Sequence, residues 1–258
     1  MRRLSIPIFS ALFEVVKWLL EKDPGFPEMF KNYDEYHVLH SRSLTPSLKR
    51  AKLLGDWIVP GSRVLDVGIG EGTLAKYLMK VKNCEVVGID VSKVVAERVE
   101  KELGLKVFVR DVNEGLKLGK EKTYDYITFV EIIEHLATPQ VALIEALMHA
   151  RKAVIVTLPN SGFIKWRLQL LKGYFPRQSF MHLHFWTIRD FELYCQKLGI
   201  KILDFKTFLP RSKIEAWLIR KLRNLLAYQQ FWLLKPNKGS SKVTTSQKVL
   251  HEGVHAHL

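Results

Sequence analysis

The chain is poor in cysteine, has no long apolar run and carries few acids after residue 160. Its two cysteines, Cys84 and Cys195, are far apart and in no metal-binding spacing. That excludes a disulfide framework and suits a reducing compartment, so the cytoplasm is the expected setting. No stretch is long and apolar enough to span a bilayer. No internal repeat is visible, which argues against a solenoid or propeller. A secretory leader is also a poor reading of the N-terminus. Arg2 and Arg3 precede an apolar Leu4–Phe13, but Glu14 and Lys17 interrupt it and no small-residue cleavage site follows. Phe9, Leu12, Phe13, Val16 and Leu20 instead recur at helical spacing. They predict an amphipathic helix packed on the domain, with a membrane-surface anchor as the alternative.

The charge is unevenly spread. The net value of +14 arises almost wholly after residue 160, where 17 basic side chains face 5 acidic ones. Residues 56–160 are close to neutral, with 14 basic and 15 acidic side chains. An anionic substrate, an acidic membrane surface or nucleic acid would suit that asymmetry, and so would a plain solvated surface.

With 47% apolar residues, the chain can bury one large core. Thr45-Pro46 opens a predicted helix running to about Ile58, and Pro60-Gly61-Ser62 breaks it. From residue 63 apolar strand candidates at 63–67, 85–89, 106–109, 124–130 and 152–158 alternate with helical candidates at 72–80, 92–103 and 138–150. Alternation of that kind predicts a parallel sheet covered by helices on both faces. Beyond it lie an amphipathic stretch 162–172, a helix 187–198, a strand near 200–208, a basic helix 212–225 and a last strand near 228–234. The expected division is a helical extension or lid at 1–55, one domain at 56–236 and a polar tail at 237–258.

In such sheets ligands bind beyond the carboxyl ends of the strands, and the candidate residues gather there. Val64–Val67 runs into Gly68-Ile69-Gly70-Glu71-Gly72 and then a helix. That junction brings bare backbone N–H groups against a polar ligand. The third glycine comes one residue earlier than in a dinucleotide fingerprint. Asp66 sits in the first strand. Asp90, followed by Val91, ends the second, where a carboxylate can accept both hydroxyls of a ribose. Asp111 and Val112 follow the third. The fourth ends at Glu131, in Glu131-Ile132-Ile133-Glu134-His135-Leu136. The bland alternative for Asp90 and Asp111 is helix capping.

These residues, in this order, resemble the class I S-adenosylmethionine (SAM)-dependent methyltransferases. The resemblance implies a Rossmann-like α/β fold with a mostly parallel seven-stranded sheet, and SAM as cofactor. It implies cofactor contacts at Asp66, Gly68, Gly70, Gly72, Asp90, Val91, Asp111, Val112 and Glu131. The Glu131–Leu136 run is similar to a Glu-x-x-Glu-His segment of many small-molecule methyltransferases. His135 is the candidate general base, since its ordinary pKa lies near neutrality, and Glu134 is the second catalytic candidate. Bracing of the following helix is the alternative for both.

Downstream, Thr157–Phe163, Trp166–Gly173, His184–Glu192 and Arg223–Leu226 resemble the methionine biosynthesis protein MetW family. Its members are implicated in homoserine O-acylation beside a partner acyltransferase. This chain differs in its Glu131–Leu136 segment, its shorter Tyr174–Met181 loop, its N-terminal region and its tail. The expected activity is methyl transfer to a small-molecule or lipid-like acceptor. A MetW-like partner subunit and an RNA methyltransferase are the alternatives.

Acceptor contacts are expected from His182, His184, Tyr36 and Arg167. His182 and His184 share a face if their segment is extended. No third ligand is spaced near them, so no metal site is expected. Tyr33, Tyr36 and His37 are candidates for a lid. Arg167, Lys172, Arg177 and Arg189 could gather around an anionic acceptor or remain solvated. Lys213, Arg220, Lys221 and Arg223 beside Trp217 suit a peripheral membrane surface or an RNA backbone.

Overall fold

The computed structural model describes Asp34 and residues 48–119, 123–175, 179, 181–208 and 213–236. The amphipathic N-terminal segment, the Thr45-Pro46 cap, Tyr33, Tyr36, His37, Arg177 and the tail 237–258 lie outside the described residues. Seven strands form one sheet: β1 (Arg63–Val67), β2 (Glu85–Asp90), β3 (Val107–Val109), β4 (Tyr124–Val130), β5 (Ala150–Pro159), β6 (Ile200–Lys206) and β7 (Gln229–Pro236). Their order is β3-β2-β1-β4-β5-β7-β6. All neighbours pair in parallel except β7, which runs antiparallel to both β5 and β6. The chain order reverses between β1 and β4, so the ligand crevice opens there.

The strands are apolar runs because helices cover both faces. Leu65 and Val67 of β1 point to one face and Val64 to the other, as a period of two requires. On Val64's face lie α1 (Leu48–Gly55), α2 (Thr73–Lys82) and α3 (Lys93–Leu103), through Leu54, Leu78 and Val99. The opposite face carries α4 (Pro139–His149) and, after α5 (Ile164–Leu171), α6 (Ile188–Lys197), through Leu143, Leu147 and Phe191. Phe191 and Phe205 flank the fully buried Trp232 at ring distances of 5.3 and 4.7 Å.

Local signals explain the helix ends. Ser92 caps α3, its Oγ accepting from Val95 N–H, and Gly104 ends it in the left-handed conformation. Thr187 and Asp190 form a reciprocal capping box on α6, and Pro139 opens α4. Two expectations change. The boundary at residue 55 is misplaced, because α1 buries Ala51 and Leu54 against α2 and so belongs to the domain. The basic helix at 212–225 is two pieces, α7 (Lys213–Lys221) and α8 (Arg223–Leu226).

Candidate functional site

A cavity of about 530 Å³ opens at the carboxyl ends of β1, β2 and β4. At one end it is lined by Asp66, Gly68–Glu71, Asp90, Val91, Asp111 and Val112; at the other by Arg50, Glu131, His135, Ser179 and Met181. The fold thus gathers two sets of residues that the sequence separates widely.

The glycine loop is fixed by backbone and carboxylate together. Gly68 and Ile69 N–H both donate to Ile89 O, at 2.7 and 3.0 Å. Asp90 Oδ2 accepts from Gly70 N–H at 3.0 Å, and its Oδ1 from Ser92 N–H at 3.0 Å. Asp90 therefore ties the loop to the start of α3 while lining the cavity; each carboxylate oxygen keeps a second lone pair for a ligand. Position 68 suits glycine first by its backbone, and any side chain there would also displace Ile132. Its φ is +71°, and a Cβ would lie 2.0 Å from Ile132 Cδ1. Gly72, at φ +65°, caps α2 and does not itself line the cavity.

Asp66 lies beneath the loop and is almost wholly buried. Burial pushes its carboxyl up to about 7, against the Thr128 hydroxyl, which donates at 2.6 Å, and with the Asp90 charge. Asp111 is exposed at the rim. Its Oδ1 accepts from Asn113 N–H and Asn113 Nδ2, both at 2.9 Å, so it caps the turn that Val112 opens. Val91 stays 44% exposed beside the loop, an apolar face turned to the cavity.

The other end has a different character. Glu131 has φ +58°, a left-handed backbone that costs a non-glycine residue roughly 1–2 kcal/mol. Its surroundings hold it there. Its N–H donates to Thr157, whose Oγ1 donates back to Glu131 Oε1 at 2.9 Å; Gln229 Nε2 donates to Oε2 at 2.9 Å. Arg50 reaches Gln229 Oε1 at 3.2 Å, joining the same network. Burial raises the Glu131 carboxyl, and Arg50, Thr157 and Gln229 pull it back.

Glu134 is fully buried, and neither carboxylate oxygen has a hydrogen-bond partner among the described residues. Burial first, then the Glu131 charge, raises its carboxyl well above the ordinary range. It does not line the cavity, whereas its neighbour His135 does. His135 Nδ1 meets Met181 O at 3.1 Å, and burial lowers its pKa. Leu183 and His184 N–H both donate to Glu134 O, at 2.8 and 3.1 Å, clamping the histidine segment onto the turn after β4. His182 packs edge-on to His135 with ring centres 4.6 Å apart. His184 stacks on Trp186 and lies away from the cavity lining.

Arg167 is not brought into the site. It is exposed on α5, and its Nε donates to Gly162 O at 2.8 Å, which braces the turn after β5. Arg189 also stays exposed, and Arg223 pairs with Glu192 instead of joining a basic patch. Trp217 on α7 is 52% exposed. Among the described residues no helix is long and apolar enough to cross a membrane.

Arg50, Thr157 and Gln229 were not singled out from the sequence. Arg50 precedes the strands that carry the motifs, and Gln229 reaches Glu131 because antiparallel β7 begins beside the end of β5. Only the topology shows that. Asp34 was likewise missed: its carboxylate accepts from Ser92 Oγ, so a point of the N-terminal region touches the start of α3.

Sheet order, glycine loop and acidic strand ends together define the class I SAM-dependent methyltransferase fold. Solved structures share it. A SAM-dependent methyltransferase from Archaeoglobus fulgidus superposes with a TM-score of 0.60 at 16% identity, over 78% of this chain and 99% of its own. A Clostridium acetobutylicum SAM-dependent methyltransferase gives 0.55 at 14%, over 79% and 98%. A Burkholderia thailandensis 1,6-didemethyltoxoflavin-N1-methyltransferase gives 0.56 at 13%, over 92% and 93%. At these identities the likeness is one of fold. No curated protein matches the chain in sequence. The model of the methionine biosynthesis protein MetW family matches residues 49–234, and the chain belongs to that family.

Proposed function

We propose that the protein is a SAM-dependent methyltransferase acting on a small-molecule or lipid-like acceptor. The observation that carries this reading is a single cavity lined at one end by the glycine loop with Asp90, and at the other by Glu131 and His135. Bound there, SAM supplies an electrophilic methyl group on a sulfonium. Asp90 accepts the ribose hydroxyls, Val91 and Val112 flank the adenine, and Asp111 takes its amino group. Arg50 and Glu131 carry opposite charges at the far end, which suits the carboxylate and ammonium of the amino-acid moiety.

The residues act mainly by positioning. Holding acceptor and methyl in line can supply roughly 7–11 kcal/mol of a barrier. His135, kept neutral by burial, can take a proton from an oxygen or nitrogen acceptor. Transfer of labelled methyl from SAM into fractionated small-molecule and lipid extracts tests the reading. Incorporation that falls with His135→Ala is expected; incorporation into none of the fractions would contradict it.

Family membership favours a second reading, a SAM-binding partner subunit of an acyltransferase in methionine biosynthesis. A stable acyltransferase recovered with the protein, without methyl transfer in any extract, would select it.

A further inference from the structure

We propose that Glu134, His135 and His182 form a binding site for one divalent transition-metal ion at the wall of the cavity. One ligand atom from each lies within 4.8 Å of the others. Metal–ligand bonds of about 2.0–2.2 Å place the ligands of one ion roughly 3–4 Å apart, so small side-chain rotations close the site. Two imidazoles and one carboxylate are the donor set of zinc and of non-haem iron sites that keep positions open.

Three independent features support the site. Glu134 is 0% exposed, yet neither carboxylate oxygen has a partner among the described residues. A buried carboxylate without a donor is costly, and the nearby Glu131 charge makes it costlier; a dication would relieve both. His135 Nδ1 faces the Met181 carbonyl, which only accepts. The proton therefore sits on Nδ1 and the lone pair on Nε2, the arrangement by which an outer carbonyl orients a metal-bound histidine. Finally, the bonds from Leu183 and His184 N–H to Glu134 O hold the two ligand-bearing segments together without using a ligand atom.

Of the three ligands only His135 lines the cavity, and the proposed ion's open positions lie on that side. The ligand class this favours is an acceptor bearing a hydroxyl group. An ion there lowers the pKa of that hydroxyl at neutral pH. With the Nε2 lone pair of His135 on the ion, the hydroxyl proton goes to solvent in place of His135, the O–CH3 bond forms as the S–CH3 bond breaks, and S-adenosylhomocysteine leaves as a neutral thioether. This step rests on the methyltransferase reading; the metal site does not.

The test uses the full, tag-free chain with His251, His255 and His257 replaced by alanine, freed of metal with chelator and titrated with Co2+. Visible absorption and calorimetry read the ion, and a separate titration reads SAM. One Co2+ per chain is expected. Glu134→Gln and His182→Ala should each weaken it by more than the ~10–100-fold that loss of an outer partner costs. Both should melt cooperatively and bind SAM as the parent does. No Co2+ binding by the parent, or equal binding by the parent and both variants, would overturn the site. Site-dependent Co2+ binding with no SAM binding would support the metal site and overturn the methyltransferase reading instead.

Discussion

The two ends of the cavity are built on opposite terms. At the glycine loop the polar groups bond one another: Ile89 O holds Gly68 and Ile69, and Asp90 holds Gly70 and Ser92. After β4 the polar groups are left wanting. Glu131 keeps a left-handed backbone, and Glu134, at the centre of the turn, has no donor among the described residues. His184 Nε2 and Tyr194 Oη, farther along the same half, are also buried without partners among the described residues. The first end is organised before anything binds. The second holds buried polar groups without partners among the described residues, which are rare in folded proteins and suit the metal site proposed above.

The largest expected contrast is in turnover. His135→Ala should lower methyl transfer by roughly 10²–10⁴-fold, the usual worth of a positioned proton acceptor, while SAM affinity stays near the parent's. Steady-state rates beside calorimetric titration would check it. Equal loss of both would make His135 a cofactor contact and not a proton acceptor. Asp90→Ala should do the reverse. It removes two bonds to a charged acceptor, worth about 1.5–3 kcal/mol each, and should weaken SAM by at least ~10-fold. Gly68→Ala should cost about 1–3 kcal/mol of stability, read by thermal melting, because the left-handed backbone and Ile132 both oppose a Cβ.

The smallest effect is in pH dependence, where one group from each end has the opposite sign. Asp66, raised by burial to about 7, contributes stability that is full below its ordinary 3.8 and lost as pH rises through 7. His182, lowered by burial and by His135 to about 4, contributes stability that is present above its ordinary 6.5 and lost as pH falls through 4. Asp66→Asn should flatten the alkaline side of a stability profile and His182→Gln the acid side. Glu134 shares the sign of Asp66, so single variants separate them.

The same contrast governs what was legible in the sequence. Strand runs, glycine loop and Asp90 all lie within one βαβ unit, where spacing along the chain fixes spacing in the fold. The end after β4 is assembled by distant pairings. His182 meets His135 only because Leu183 and His184 bond back to Glu134, and Gln229 meets Glu131 only through antiparallel β7. A spacing rule could not bring these together, and it left His182 without its neighbours. Asp111 could be read as a cap or as a ligand; it caps its turn and also lines the cavity. Arg167 was drawn toward the site by its charge alone, and its bond to Gly162 takes it elsewhere.

The division of labour between the two ends is tested most directly by titrating SAM into the parent, Asp90→Ala and His135→Ala by calorimetry. The account predicts one SAM per chain, weakened at least ~10-fold by Asp90→Ala and unaffected by His135→Ala. No binding to the parent, or Asp90→Ala binding as well as the parent, would contradict it.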